Sequence, residues 1–197
     1  MRTREQRGLT MIELMIGLAI FTMLLLFGAP SFSAWIQSSQ IRNSAESIQN
    51  GLILARAEAV RRNTTVNFQL VSSLTASCAI STSSNNWVVS RNDPTGKCDV
   101  APDPADTVLP RTIQKRSTNQ GSPNAVVAAD QGTIIFNGLG RATNLAASPA
   151  SINITNPSGG TCVAASGRMR CLRVDVTTAG QVRMCDPAVS APDTRAC

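Results

Sequence analysis

The sequence predicts an α+β fold, in which one long N-terminal α-helix packs on an antiparallel β-sheet or a small β-sandwich. An apolar run, residues 9–30, continues into a stripe of apolar residues that recur at steps of three and four, as in an amphipathic helix. Residues 63–197 instead hold short segments of alternating polarity between turn-forming residues. All six cysteines lie in this second part, where disulfides can stabilise a β-rich soluble domain.

The composition argues against an enzyme and against a metal site. The 197 residues suffice for one domain with an appendage, and they carry a net charge of +6. The sequence has no histidine, which removes the commonest general base and the commonest metal ligand. It has neither a CxxC pair nor a zinc-ligand spacing, and no nucleophile–base pair or phosphate-binding loop stands out. We therefore expect no catalytic residues, no metal and no cofactor.

The first thirty residues have the features of a membrane-inserted segment. Residues 1–8 carry three arginines against one glutamate, and positive charge ahead of an apolar run holds that end in the cytoplasm. Residues 9–30 match the roughly 20 residues that a membrane-spanning helix needs. No A-x-A cleavage site follows the run, which argues against an ordinary signal peptide. We predict a transmembrane helix over 9–30, with a simple anchor or a buried core helix as the alternatives.

Glu13 is the one charge inside this apolar run. A carboxylate in a spanning helix costs about 3 kcal/mol on insertion scales, so such a residue is by default functional. A cut between Gly8 and Leu9 would create an α-amino group four residues before Glu13. The amine of a neighbouring subunit could then neutralise the carboxylate. We therefore predict that Glu13 is a docking residue, which a simple membrane anchor would not need.

The segment from Gly8 to Leu14 resembles the type III signal of type IV pilins and type II secretion pseudopilins. The resemblance implies that residues 1–8 are a leader that prepilin peptidase removes after Gly8, and that the new amine of Leu9 is methylated. Glu13 then becomes the fifth residue of the mature chain. Pro30 falls where pilins carry a helix-bending proline. The resemblance also implies a single pass through the bacterial inner membrane, a periplasmic C-terminal domain, and later assembly into a fibre with other minor and major pilins.

Residues 31–62 form the amphipathic half of the predicted helix. Pro30 removes one intrahelical hydrogen bond, so we expect a kink or local melting near residues 27–30. Asn63-Thr64 is expected to end the helix near Arg62. The apolar stripe that should pack against a sheet comprises Ile41, Ala45, Ile48, Leu52, Ala55 and Ala59.

Six short segments of residues 63–197 have the pattern of strands. They are residues 66–70, 87–89, 133–136, 151–155, 171–176 and 181–185, the last two forming a hairpin. Long polar connections over 92–106 and 117–131 are candidate recognition loops. The residues Ala55, Arg56, Glu58 and Ala59 resemble the A-R-x-E-A stretch of the FimT, FimU and GspH group, and the 136–141 turn resembles the GspH-type domain.

The cysteine count favours three disulfides in an oxidising compartment. Pairing of sequence neighbours closes the shortest loops, although six cysteines allow 15 connectivities. The predicted bridges are Cys78–Cys98, Cys162–Cys171 and Cys185–Cys197.

Arginines cluster near the C terminus, in SGRMRCLR, residues 166–173. Arginines near a turn can bind phosphates through bidentate contacts. Competence pilins of the FimT type bind DNA through a Gly-Arg-x-Arg element, which residues 167–170 match in letters. Residues 180–183 match its position better but have Gln181 in place of the first arginine. The resemblance makes Arg168, Arg170 and Arg183 candidates for DNA binding, against a solvated hairpin face.

The sequence therefore predicts a minor pilin of the FimU/FimT–GspH kind, built into a type IV pilus at or near its tip. Its expected role is to promote pilus assembly, in motility, adhesion or DNA uptake. One alternative is a DNA-binding competence pilin of the FimT type. The other is a type II secretion minor pseudopilin of the GspH type. The sequence alone leaves these three open.

Overall fold

A computed structural model describes residues 10–117 and 120–197, with the side chains of 26–31 excepted. The chain divides into two compact units, Met1–Ile36 and Gln37–Cys197. One helix, α1 (Met11–Arg62), runs through both. In the described residues it is followed by eight strands: β1 (Val66–Val71), β2 (Asn86–Ser90), β3 (Thr112–Arg116), β4 (Val126–Ala129), β5 (Thr133–Phe136), β6 (Ala150–Thr155), β7 (Leu172–Val176) and β8 (Val182–Cys185). Two 3₁₀ turns, Pro157–Gly159 and Val163–Ala165, lie between β6 and β7.

The strands form two four-stranded sheets in which every pairing is antiparallel. The first has the order β3-β2-β1-β5, and the second has the order β4-β6-β7-β8. The predicted α+β class is therefore confirmed, and the strands divide between two sheets. The predicted β7–β8 hairpin is also present, with Arg173 opposite Cys185.

The predicted apolar stripe of α1 forms the centre of the core. All six of its side chains are fully buried and share one cluster with residues of both sheets. Phe68 and Trp87 pack there with their ring centroids 5.8 Å apart, and the Trp87 indole N–H donates to Ser47 Oγ at 2.9 Å. This hydrogen bond satisfies the indole N–H, which would otherwise be costly to bury.

Two strands were not predicted, and both lie at a sheet edge. β3 is largely polar, and β4 falls inside the segment 117–131 that the sequence analysis assigned to a loop. Neither TIQKR of β3 nor VVAA of β4 alternates between apolar and polar residues over enough positions to indicate a strand. The loop prediction for 117–131 was therefore wrong over Val126–Ala129.

The three predicted disulfides are present with the pairing of sequence neighbours: Cys78–Cys98, Cys162–Cys171 and Cys185–Cys197. Cys78–Cys98 packs with Val71 and Val88 in a small cluster of its own. It therefore fixes the connection after β1 to the connection after β2. Cys185–Cys197 ties the end of the chain to the last residue of β8.

Candidate functional site

The described part of the candidate assembly helix begins with a capping box. The backbone N–H and the hydroxyl of Thr10 donate to Glu13 Oε2 at 3.2 and 3.1 Å, and the backbone N–H of Glu13 lies 3.3 Å from Thr10 Oγ1. Such reciprocal bonds satisfy donors that the first turn of a helix leaves unpaired. Glu13 Oε1 has no hydrogen-bond partner among the described residues. Gly8 and Leu9, the predicted cleavage and methylation residues, lie outside those residues.

Behind Glu13, α1 presents apolar side chains on every side. Each large apolar side chain from Met11 to Leu25 is between 55% and 88% exposed. Thr22 bonds back to the carbonyls of Leu18 and Ala19, so its hydroxyl is satisfied within the helix. The described residues leave out residue 9 and the side chains of 26–31, which belong largely to the predicted span, and among the described residues no helix is both long enough and apolar enough to cross a membrane.

Pro30 lies within α1, and the helix is assigned without a break across residues 27–30. Local melting at this position is therefore not observed, and the kink that was the other expectation stays a prediction. A proline in a helix interior removes one backbone donor, and neighbouring turns can keep the helical conformation around it. The side chain of Pro30 lies outside the described residues.

A polar contact that the sequence does not reveal lies at the start of the second unit, on the first turn of α1 within it. Asn156, which is fully buried, donates through Nδ2 to Gln37 Oε1 at 2.6 Å and to the Gln37 carbonyl at 3.3 Å. The backbone N–H of Asn124 donates to Gln40 Oε1 at 3.2 Å. Gln37 precedes Ile41 by one helical turn, so it extends the apolar stripe with an amide. The spacing of Gln37 from Ile41 indicates in the sequence that Gln37 faces the domain, but it does not identify Asn156 as its partner.

A second missed cluster joins the end of α1 to the connection between β2 and β3. Glu58 accepts from Arg61 at 2.7 Å and from Arg62 at 2.7 Å, while Arg62 and Arg91 both pair with Asp106. The hydrogen bond from Arg61 is the main cause that lowers the pKa of Glu58 below its ordinary 4.5. Arg61 and Arg62 lie three and four residues after Glu58, a spacing at which helical side chains meet, but Asp106 lies too far along the chain for its part to be read from the sequence.

The three candidate DNA-binding arginines have different surroundings. Arg168 is exposed, and its side chain has no partner among the described residues. Arg170 pairs with the buried carboxylate of Asp186 at 3.2 Å. Arg183 donates to the Ala196 carbonyl at 2.7 Å. Two of the three cations therefore hold the C-terminal segment in place.

The glycines of the two Gly-Arg-like elements have structural roles of their own. A Cβ on Gly167 would lie 2.0 Å from the Thr161 carbonyl oxygen, and one on Gly180 would lie 1.8 Å from the Gly140 carbonyl oxygen. Gly180 also has a φ of +78°, which favours glycine. The close packing of these turns thus requires glycine whether or not DNA is bound.

The C-terminal segment is fixed by several contacts besides its disulfide. The backbone N–H of Asp186 donates to the Arg195 carbonyl at 2.8 Å. Arg195 also donates to Asp193, and this side-chain hydrogen bond lowers the pKa of Asp193 to about 2. Asp175 lies within 4.8 Å of the sulfurs of Cys185 and Cys197. Those sulfurs share a disulfide, so neither is a thiolate that could bind a metal.

Comparison with known proteins places these features in a family. The family model described as type II transport protein GspH matches residues 44–180. The model described as prokaryotic N-terminal methylation motif matches residues 3–29. No curated protein matches the chain.

Two solved structures are similar to this chain, and both are crystal structures of the type IV minor pilin FimU of Pseudomonas aeruginosa strain PAO1. The crystal in space group P65 has 12% identity and a TM-score of 0.48, and the match covers 77% of this chain and 97% of that one. The crystal in space group P21 has 13% identity and a TM-score of 0.48, with 78% and 92% covered.

The match to the GspH model begins in the buried half of α1 and ends at the β7–β8 turn, so it covers more than half of the chain. The match to the methylation motif covers the apolar run that precedes this region. The chain therefore belongs to the GspH family of minor pilins and pseudopilins, as its resemblance to that group predicts.

Proposed function

We propose that this chain is a minor pilin that is built into a type IV pilus, at or near its tip, and that promotes assembly of the fibre. The observation that carries the proposal is the exposed apolar helix from Met11 to Leu25, whose only charge is Glu13. A face of this size is costly in water and marks a surface that is covered by lipid or by other helices. We infer that the inner membrane covers it before assembly and that other minor and major pilins cover it in the fibre.

In this proposal, prepilin peptidase cuts after Gly8 and methylates the amine of Leu9. Glu13 is the docking residue. One of its oxygens is engaged by Thr10, and the other has no partner among the described residues. The amine of an adjacent subunit can therefore bind Oε1 without breaking the capping box. Pro30 is proposed to let the helix adapt to its neighbours in the fibre.

Two variants separate the docking role of Glu13 from its capping role. Glu13→Gln removes the charge but keeps a side chain suited to the third position of a capping box. Thr10→Ala removes the cap but keeps the carboxylate. If the charge docks subunits, Glu13→Gln should lower the amount of this chain in sheared pili about tenfold, as for the loss of one charged hydrogen bond. Thr10→Ala should leave that amount near wild type.

The amount in pili is normalised to the amount in the membrane fraction, so that insertion and incorporation are measured separately. Glu46→Gln is the matched control, because Glu46 is an exposed carboxylate on the domain half of α1. Normal incorporation of Glu13→Gln would exclude the docking role. Absence of the wild-type chain from purified pili would exclude the proposed function itself.

A second candidate function is DNA binding, and the observation that favours it is the exposed Arg168, whose side chain has no partner in the part of the chain that the structure describes. Arg170 and Arg183 would have to exchange internal partners for phosphates, so we expect Arg168 to contribute most. A mobility-shift series across salt, with the full chain in detergent, tests this. Arg168→Ala should reduce the slope of log K against log salt by roughly 0.9, as for one phosphate contact. An unchanged slope would exclude Arg168, and Arg42→Ala serves as the control.

A third candidate is a minor pseudopilin of type II secretion, which the description of the matched GspH model favours. A deletion strain scored for both piliation and protein secretion distinguishes the two systems. Loss of pili with normal secretion supports the pilin. Loss of secretion with normal pili supports the pseudopilin.

A further inference from the structure

Phe32 and Trp35 form an exposed aromatic pair just beyond the apolar run. Their ring centroids lie 5.9 Å apart with an interplanar angle of 25°. Phe32 is 63% exposed and Trp35 is 66% exposed. The surrounding sequence, SFSAWIQSSQ, has serines and glutamines but no charge. Two large rings in such a stretch are neither part of the domain core nor part of a uniformly apolar surface.

The two tryptophans of the chain have opposite environments. Trp87 is buried, and its indole N–H donates to Ser47. The indole N–H of Trp35 has no acceptor among the described residues. An exposed indole of this kind suits a site where the ring is covered by apolar atoms while the N–H still finds a polar acceptor. The boundary between lipid chains and headgroups is such a site, and tryptophan is enriched there.

The position of Trp35 along α1 fits this boundary. No charged residue occurs from Leu14 to Ile41, so no charge holds the part of α1 around Trp35 in water. Glu13 and Trp35 are separated by a helical rise of about 33 Å, at about 1.5 Å per residue. The hydrocarbon core of a bilayer is about 30 Å thick. When Trp35 lies at one boundary, Glu13 therefore reaches the other.

We propose that the Phe32–Trp35 pair binds the lipid–headgroup boundary on the periplasmic side and sets the depth of α1 in the inner membrane. This inference rests on the proposed storage of the chain in that membrane. It assigns the pair a lipid ligand, and it gives Glu13 a position at the cytoplasmic boundary before assembly. The carboxylate then reaches headgroups and water rather than the middle of the hydrocarbon, where its cost would be greatest.

The proposal is tested with the full-length chain in phosphatidylethanolamine–phosphatidylglycerol vesicles. Co-flotation with the vesicles reports membrane association. Tryptophan quenching by brominated lipids reports depth, and Trp35→Phe gives the contribution of Trp87 alone. We expect the Trp35 signal to be quenched more strongly by bromines near the headgroup than by bromines near the chain end. The extent of Trp35 quenching at each bromine position should not change as the protein is diluted in lipid.

A second measurement reports the depth of Glu13 indirectly. All six cysteines form disulfides, so an environment-sensitive dye attaches only to the new thiol of Met11→Cys. Trp35→Leu keeps an apolar side chain but loses the polar N–H, so residue 35 should move into the hydrocarbon and residue 11 outward. The dye emission should shift to the red. Phe21→Leu, in the middle of the apolar run, should leave the emission unchanged.

The outcomes are distinguishable. Failure to co-float would overturn the proposed membrane storage, and this inference with it. Co-flotation with Trp35 unquenched, or quenched most by bromines near the chain end, would overturn this inference alone. A further outcome is that Trp35 is protected from the brominated lipids at a high ratio of protein to lipid and becomes quenched when the protein is diluted in lipid. That result would show that a second helix, not lipid, covers the pair. An unshifted dye in Trp35→Leu would show that the pair does not set the depth of the helix.

Discussion

Asn156 Nδ2 lies 2.6 Å from Gln37 Oε1 and donates a hydrogen bond to it. The contact joins the residue after β6 to the first residue of the second compact unit. Asn156 is fully buried, and its own Oδ1 has no partner among the described residues. This contact therefore helps to fix the turn of α1 that precedes the apolar stripe, together with the hydrogen bond from the Asn124 backbone N–H to Gln40.

We expect Asn156→Asp to release this first turn of α1. The substitution keeps the shape of the side chain but places a carboxylate against Gln37 Oε1, so two acceptors would face each other. Loss of the donor should lower the free energy of unfolding by about 1–3 kcal/mol. Hydrogen exchange of the amides of residues 37–41 should accelerate more than that of later turns, because the apolar stripe still holds those turns.

Asn153→Asp is the control for this variant, because Asn153 lies in β6 and its amide makes only a long, exposed contact to the Ala128 carbonyl. Equal acceleration throughout α1 would indicate global destabilisation and contradict the local role of Asn156.

Sequence reasoning succeeded where one physical pattern dominates. The stripe from Ile41 to Ala59 was readable because burial against two sheets repeats with the helical period. The disulfide pairing followed from short loops between neighbouring cysteines. Asn156 could not be found in this way, because its partner Gln37 lies 119 residues away in the sequence. The same limitation applies to Arg170 and Arg183, whose partners become apparent only when the C-terminal segment folds back.

Gly51 tests how closely α1 approaches the first sheet. In an exposed helix, Gly→Ala raises stability by about 1 kcal/mol. A Cβ on Gly51 would instead lie 2.8 Å from a ring carbon of Phe68 and 3.2 Å from two ring carbons of Trp87. Both rings are buried and have no room to move. We therefore expect Gly51→Ala to lower the free energy of unfolding by about 1–3 kcal/mol, as overpacked cores do.

Chemical denaturation of the full chain in detergent measures this change, followed by the Trp87 fluorescence in a Trp35→Phe background. Asn50→Ala is the matched control, because Asn50 is an exposed neighbour on the same helix, and it should be neutral or slightly stabilising. A gain in stability for Gly51→Ala would show that the helix can withdraw from the rings at little cost.

Asp103 is expected to make the stability depend on acid pH. The backbone N–H and the hydroxyl of Thr107 both donate to the Asp103 carboxylate, as do the backbone N–H groups of Val108 and Ala105. These hydrogen bonds lower the pKa of Asp103 to about 2 from an ordinary 3.8. A carboxyl whose pKa is lower in the folded state stabilises that state above its unfolded pKa. The contribution is therefore complete above about pH 4 and is lost as the pH falls towards 2.

Asp103→Asn should lower the melting temperature at neutral pH, and the difference from wild type should narrow between pH 4 and pH 2. Melting curves across this range test the sign and the window. Asp99→Asn is the control, because the side chain of Asp99 makes no hydrogen bond among the described residues. A difference that stays constant down to pH 2 would refute the assignment to the Asp103 carboxyl.

The Cys185–Cys197 disulfide is expected to hold the C-terminal segment over β8. It closes a short loop with a sequence separation of 12, and Arg183 and Asp186 add hydrogen bonds to Ala196 and Arg195 within that loop. Replacing both cysteines by serine should lower the free energy of unfolding by about 2–4 kcal/mol. Arg183→Ala should cost less, about 1 kcal/mol, because the bridge still limits the segment.

In the double serine variant, however, Arg183→Ala should leave residues 190–197 open to proteolysis, which a time course with mass spectrometry detects. Equal protection of that segment with and without the bridge would show that hydrogen bonds alone hold it.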